Sequence, residues 1–209
     1  MVRILIADDH AIVRKGLRQI ILENYPFATI GETNDAEELI AKAAKEKWDV
    51  IICDLNMPGR SGLEALNQIR QFAPQLPVLI MSIYPEEQYA VRVLKAGASG
   101  YLSKESIHDH LNNAIQTVLK GRKYITPSVA EILATSLTTD KNKLPHESLS
   151  DREFEVFKLL ATGKKVSFIA QQLSLSITTV STYRARILEK MNMHSNSELT
   201  RYAIEHGLI

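Results

Sequence analysis

A single cysteine in 209 residues excludes a disulfide framework and a cysteine-ligated zinc site. Cys53 stands in an apolar run, where a lone thiol reads as core filling. No apolar run approaches the roughly 20 residues needed to cross a bilayer. The first residues also lack the charged, apolar and small-residue succession of a secretory leader. A cytoplasmic protein without a membrane partner is therefore expected. Neither sign of charge dominates, with 25 Lys and Arg against 24 Asp and Glu. What is present is a 45% hydrophobic composition, enough for real cores, in a chain long for one average domain.

The first apolar run, Val2 to Ala7, closes on Asp8-Asp9, and a second, Val50 to Cys53, closes on Asp54. Short runs rich in Ile, Val and Leu read as strands covered on both faces, and in open parallel sheets ligands sit beyond the strands' carboxyl ends. The three acids are expected to converge in one crevice. Two further runs end in polar residues: Val78 to Met81 leads into Ser82, and Gly100 to Ser103 leads into Lys104. Clustered carboxylates repel one another unless a cation sits among them, which suits a hard, oxygen-seeking ion such as Mg²⁺. Lys104 is a second cation and points to an anionic ligand.

Between these runs lie helical stripes: Val13, Leu17, Ile20 and Ile21 share one face, and similar patterns occupy Ala36 to Lys45, Gly62 to Phe72, Glu86 to Ala96 and Glu105 to Gly121. Strands alternating with helices predict right-handed βαβ units in an α/β, doubly wound, five-stranded parallel sheet.

Asp8-Asp9, Asp54-Leu55-Asn56-Met57-Pro58-Gly59, Ser82 and Gly97 to Lys104 resemble the receiver domain of bacterial two-component response regulators, a flavodoxin-like fold, over about residues 1–125. The resemblance implies that Asp54 is the phosphoacceptor, attacking the phosphohistidine of a sensor histidine kinase. It implies that Asp9 and Asp54 hold Mg²⁺ directly, with Asp8 acting through water and the backbone carbonyl of Asn56 completing the shell. Ser82 would bind the arriving phosphoryl group, Lys104 would pair with its oxygens, and Tyr101 would swing inward on activation. An aromatic there also serves plain packing. The chemistry is sound in itself, because phosphoryl transfer is catalysed mostly by positioning and by fixed positive charge.

A boundary is expected between about Thr138 and Ser148, where the chain turns polar, holds Pro145 and loses apolar periodicity. Pro127 to Leu137 reads as a short helix within a linker spanning 126–148. Residues 149–209 then read as a second, all-α domain. Ser150 and Glu153 form a capping box with Leu149 as staple. Ile169 to Leu173, a tight Ser174-Leu175-Ser176 and Thr178 to Met191 read as helix-turn-helix. Leu149-Ser150 with Arg152-Glu153, Ile169-Ala170 with Leu173, and Thr179 to Met191 resemble the LuxR-type DNA-binding domain. Joined to a receiver, this resembles the NarL/FixJ subfamily of transcription factors.

Along the long helix Val180, Ile187, Leu188 and Met191 face the core, while Ser181, Thr182 and Ala185 lie opposite, small enough to settle deep in a major groove. Arg184, Arg186 and Lys190 suit phosphate contacts, or a guanine edge in one case. Where many relatives carry a basic residue this chain has Ser181, so base readout is expected from hydroxyls and methyls. Lys164-Lys165 replace the expected cap of the preceding helix and read as phosphate contacts or as solvated surface. Residues 149–209 hold 8 Lys and Arg against 6 Asp and Glu. Such mild basicity predicts modest monomeric affinity for double-stranded DNA, offset by a homodimer on promoter repeats. The last helix offers Leu199, Tyr202 and Ala203, which either pair across a two-fold axis or close the small domain's core.

The expected function is a DNA-binding transcriptional response regulator switched by phosphorylation of Asp54, with RNA polymerase as a further partner. It would catalyse only its own phosphoryl transfer and dephosphorylation. The alternative is a phosphorylation-independent regulator whose receiver serves dimerisation or partner binding. A haloacid-dehalogenase-type phosphatase needs a general-acid aspartate two positions after its nucleophile, where this chain has Asn56.

Overall fold

Five short runs become strands: β1 (Arg3–Ala7), β2 (Thr29–Thr33), β3 (Val50–Asp54), β4 (Val78–Ser82) and β5 (Gly100–Ser103). They form one parallel sheet in the order β2-β1-β3-β4-β5. β3 and β4 are buried along their whole length because helices cover both faces, which is why their sequences do not alternate. The computed structural model describes residues 1–138 and 144–209, and the chain divides into two units, Met1–Thr135 and Ser136–Ile209. The middle of the expected linker, residues 139–143, lies outside the described residues.

In the first unit the helices are α1 (Ala11–Asn24), α2 (Ala36–Lys45), α3 (Gly62–Phe72), α4 (Glu86–Lys95) and α5 (Ile107–Leu119), and α6 (Pro127–Thr138) starts in it and ends three residues past the boundary. α2 starts where the Asp35 carboxylate accepts from the Glu38 amide, and α3 where Ser61 and Glu64 cap each other. Leu17 and Ile21 of α1 join Leu111, Ala114, Ile115 and Val118 of α5 over Ile4, Ile6, Ile52, Leu79 and Met81 of the sheet. Val13 and Ile20 pack at the edge of that core, so the expected apolar face of α1 is the one used. β2 had no apolar run to announce it; it is a half-exposed edge strand. Its Gly31 lies under the Trp48 ring, which a Cβ would strike.

The helix expected within the linker is anchored at its start to the first unit. The hydroxyls of Thr126 and Ser128 both donate to one Glu86 carboxylate oxygen at the head of α4, at 2.5 and 2.6 Å, and Val129 is buried.

The second unit carries α7 (Asp151–Ala161), α8 (Val166–Gln172), α9 (Ile177–Lys190) and α10 (Asn196–Glu205). Ser150 and Glu153 form the expected capping box. Lys165 at the head of α8 makes no side-chain cap, as its chemistry requires. Gly163 and Ser174 take positive φ where the chain turns out of α7 and of α8. Phe154, Phe157 and Leu160 of α7 share the core with Ile169, Val180, Ile187 and Leu199. Among the described residues no helix is long and apolar enough to cross a membrane.

Candidate functional site

The register of the sheet brings the strand ends together. Ala7 pairs with Cys53, Asp54 with Met81, and Ser82 with Ser103, so Asp8, Asp54, Ser82 and Lys104 emerge side by side around the point where the strand order reverses. The Lys104 ammonium donates to Asp8 Oδ2 at 2.7 Å and to Asp54 Oδ2 at 2.8 Å. Both carboxylates are buried, whereas Asp9 and its neighbour His10 are exposed. His10 Nδ1 lies 2.8 Å from Asp9 and 3.3 Å from Asp8, and the His10 amide donates to Asp8 Oδ1.

Burial pushes the Asp54 carboxyl up to about 6, and the neighbouring Asp8 adds to this, although Lys104 and the Asn56 amide pull the other way. Burial alone would lower the Lys104 ammonium, yet the two carboxylates hold it above the ordinary lysine range. The result is an oxygen whose negative charge is poorly solvated, beside a cation with room to be recruited to a new anion. Carboxylate and imidazole atoms of Asp8, Asp9, His10 and Asp54 lie within 4.8 Å of one another. Three carboxylates so placed fit a hard divalent cation such as Mg²⁺. Sequence reasoning did not include His10, although it directly follows Asp8-Asp9.

Gly62 was also missed. Its amide donates to the Leu55 carbonyl, and a Cβ there would collide with the carbonyl of Asp54. A glycine at the first position of a Ser-capped helix, soon after a reactive acid, is the signal that would have found it. The loop after β4 carries the other half of the site. Ser82 is fully buried, its Oγ accepts from the Tyr84 amide, and the buried Tyr101 hydroxyl donates to the Tyr84 carbonyl at 2.7 Å. Burial raises the Tyr101 phenol, while a hydrogen bond with Ser82 opposes the shift, so the ring stays neutral. Tyr101 thus lies inward, the position the resemblance assigns to the activated arrangement.

In the second unit, α9 exposes Ile177, Thr178, Ser181, Thr182, Ala185, Arg186, Glu189 and Lys190. Two expected phosphate contacts are engaged elsewhere. Arg184 Nε donates to Asn196 Oδ1 at 2.7 Å, and Lys190 donates to Glu153 Oε2 at 2.6 Å. Leu199, Tyr202 and Ala203 are all buried. The Tyr202 ring meets Phe157 edge-on, and its hydroxyl sits 2.8 Å from His146 Nδ1. Of the two readings left open for this stripe, core closure is the one these contacts support, because so small a unit needs that face of α10 against α7.

Comparison with known proteins covers both units. The family model for the response regulator receiver domain matches residues 4–116, and that for bacterial regulatory proteins of the luxR family matches residues 147–203. Response regulator UvrY of Escherichia coli K12 is 35% identical over 209 residues, which is all of this chain and 96% of that protein. The structure of RcsB from Salmonella enterica serovar Typhimurium bound to promoter rprA in the presence of phosphomimetic BeF3- superposes with a TM-score of 0.65. It is 28% identical, with 97% of this chain and 98% of that one covered. A structure of two RcsB dimers bound to two parallel DNAs gives a TM-score of 0.58 at 30% identity, with 96% of each chain covered.

Proposed function

The chain belongs to the response regulators that join a receiver domain to a LuxR-type DNA-binding domain, and from this we propose that phosphorylation of Asp54 switches its dimerisation and promoter binding. The observation that carries the reading is Lys104 bridging two buried carboxylates, at 2.7 and 2.8 Å, at the ends of separate strands. A structural ion pair needs one acid; a site built for an incoming phosphoryl group needs a nucleophile, a metal shell and a transferable cation.

Asp54 attacks the phosphorus of a phosphohistidine on a sensor histidine kinase. The phosphorus–nitrogen bond breaks, neutral imidazole leaves because its other ring nitrogen already carries a proton, and a carboxyl–phosphate anhydride forms on Asp54. Asp8, Asp9, Asp54 and the Asn56 carbonyl would hold Mg²⁺, which supplies charge neutralisation to the transferring oxygens. Lys104 then exchanges Asp54 for a phosphoryl oxygen. Ser82 donates to another oxygen, and this holds the 82–84 loop in the state in which the inward Tyr101 hydroxyl donates to the Tyr84 carbonyl. The switch is a population shift, because the phosphoryl group binds one loop state better than the other. Hydrolysis of the anhydride resets it, and these are the only reactions the protein catalyses.

The output is double-stranded DNA, with α9 in the major groove and a homodimer on promoter repeats, as RcsB dimers bind DNA. A promoter-bound dimer stands beside RNA polymerase. A kinase-fed cycle that ends on DNA belongs in the cytoplasm.

Light scattering and DNA mobility shift, with and without Mg²⁺ and acetyl phosphate, test the proposal on wild type and Asp54→Asn. A donor-dependent dimer with tighter DNA binding in wild type alone is expected. Equal behaviour in all conditions would sink the phospho-switch and leave a constitutive DNA-binding protein.

A further inference from the structure

The surface that α9 presents to solvent has almost no charge at its centre. Ser181, Ala185 and Thr178 occupy its middle, with Thr182 beside them, at the 100° steps of a helix. Arg186 stands at one edge, and Glu189 lies a turn beyond Ala185 towards the C-terminus. The other long cations of the helix hydrogen-bond inside the unit, although Lys190 is itself exposed at the C-terminal end of α9. Arg184 is half-buried with its Nε on Asn196, and Lys190 serves Glu153, which also accepts from the Ser150 amide at 2.8 Å. Thr182 gives its hydroxyl hydrogen to the Thr178 carbonyl at 3.0 Å, so its methyl is the group it has left to offer.

Guanine is read in the major groove by a long basic side chain reaching O6 and N7, and nothing of that kind stands at the centre of this face. Methyl groups do stand there, on Thr182 and Ala185, and the one base edge that presents a methyl in the major groove is thymine. We propose that this protein reads its operator chiefly through thymine 5-methyl groups, packed against Thr182 and Ala185, with a hydroxyl contact from Ser181, rather than through arginine–guanine pairs. The inference rests on the DNA-binding reading above and specifies the chemistry of its ligand. Arg184 becomes a positioning residue: it ties α9 to the head of α10 through Asn196.

The test begins with selection of a duplex from a randomised pool by the full-length protein with Mg²⁺ and acetyl phosphate. Each thymine is then replaced by deoxyuridine, which removes only the methyl, and each guanine by 7-deazaguanine, which removes only N7. Deoxyuridine is expected to weaken binding about 4-fold at one or more positions of each half-site, as one buried methyl supplies. The 7-deaza changes are expected to stay within about 2-fold, below a bidentate pair. Thr182→Ser keeps the hydroxyl and removes the methyl, and Ala185→Gly removes the other; at least one is expected to abolish the deoxyuridine effect at its contact. Deoxyuridine silent at every position would overturn the proposal. So would a 7-deazaguanine loss that disappears in Arg184→Ala or Arg186→Ala, since a guanidinium would then be the reader. Failure to enrich any duplex would be a different result, overturning the DNA-binding reading and this inference with it.

Discussion

The strand ends of the first unit and α9 of the second place charge differently. In the first, acids and a lysine are buried together at strand ends, so that Asp54 is pushed up to about 6 and Lys104 is held between two carboxylates. On α9 of the second, two of three cations are hydrogen-bonded to the unit's own side chains, Arg184 to Asn196 and Lys190 to Glu153, and the centre of the helix's exposed face is left nearly neutral. A sheet can focus side chains from strands far apart in sequence on one point, where opposite charges are held close and poorly solvated. A helix has one surface to divide between fold and ligand, and what the fold takes is lost to recognition.

The largest effect that would sharpen this contrast is expected from Gly62→Ala. A Cβ there meets the Asp54 carbonyl, so overpacking should destabilise the first unit by about 3 kcal/mol and disturb phosphorylation with it. Thermal melts of this variant that match wild type would show the crevice to be less tightly built than described. Next comes Asp54→Asn in metal-free buffer. A carboxyl raised from 3.8 to about 6 on folding contributes stability that is whole below 3.8 and lost as pH rises through 6. The amide should therefore stabilise the protein by about 2 kcal/mol at pH 7.5, a gain that fades as pH falls from 6 towards 4. A melting temperature equal to wild type across that window would mean that the crevice is not strained by its charge.

Lys190→Met probes the second unit. Glu153 is held below the usual carboxylate range because hydrogen bonds from Lys190 and Ser150 outweigh its burial, so losing the lysine should cost that unit about 1 kcal/mol. The unit's stability should also fall at acid pH, as Glu153 protonates below its ordinary range. DNA affinity of the folded fraction should change less than in Arg186→Ala, whose salt dependence should flatten by about one unit of slope. A Lys190→Met protein with full stability and a flattened salt slope would return Lys190 to the phosphate backbone. The smallest effect is expected from Ser128→Ala. It removes one of two hydroxyls on Glu86 and should speed amide exchange in the first turn of α6, with a loss near 0.5 kcal/mol. Unchanged exchange there would free α6 from α4.

Legibility followed locality. The five helices from α1 to α5 were readable because their apolar stripes repeat within a few residues. β2 was not, because a polar, half-exposed edge strand such as Thr29 to Thr33 has no apolar run. The acid crevice was readable because each member ends a recognisable strand. Tyr84 was not, because it contributes its backbone, and a backbone carries no sequence signal.

The sequence by itself determined two units, most of their secondary structure and the strand-end set Asp8, Asp9, Asp54, Ser82 and Lys104, since period and strand-end position are local properties. Only the tertiary structure decided that Tyr101 lies inward, that α6 starts on Glu86, that Gly62 must lack a side chain, and that Arg184 and Lys190 hydrogen-bond within their own unit. Each of those outcomes depends on a partner brought near by packing, 12 residues away for Arg184 and 37 for Lys190. Local pattern says which side of a helix a residue occupies; which neighbour its long side chain then reaches is settled by how the helices pack.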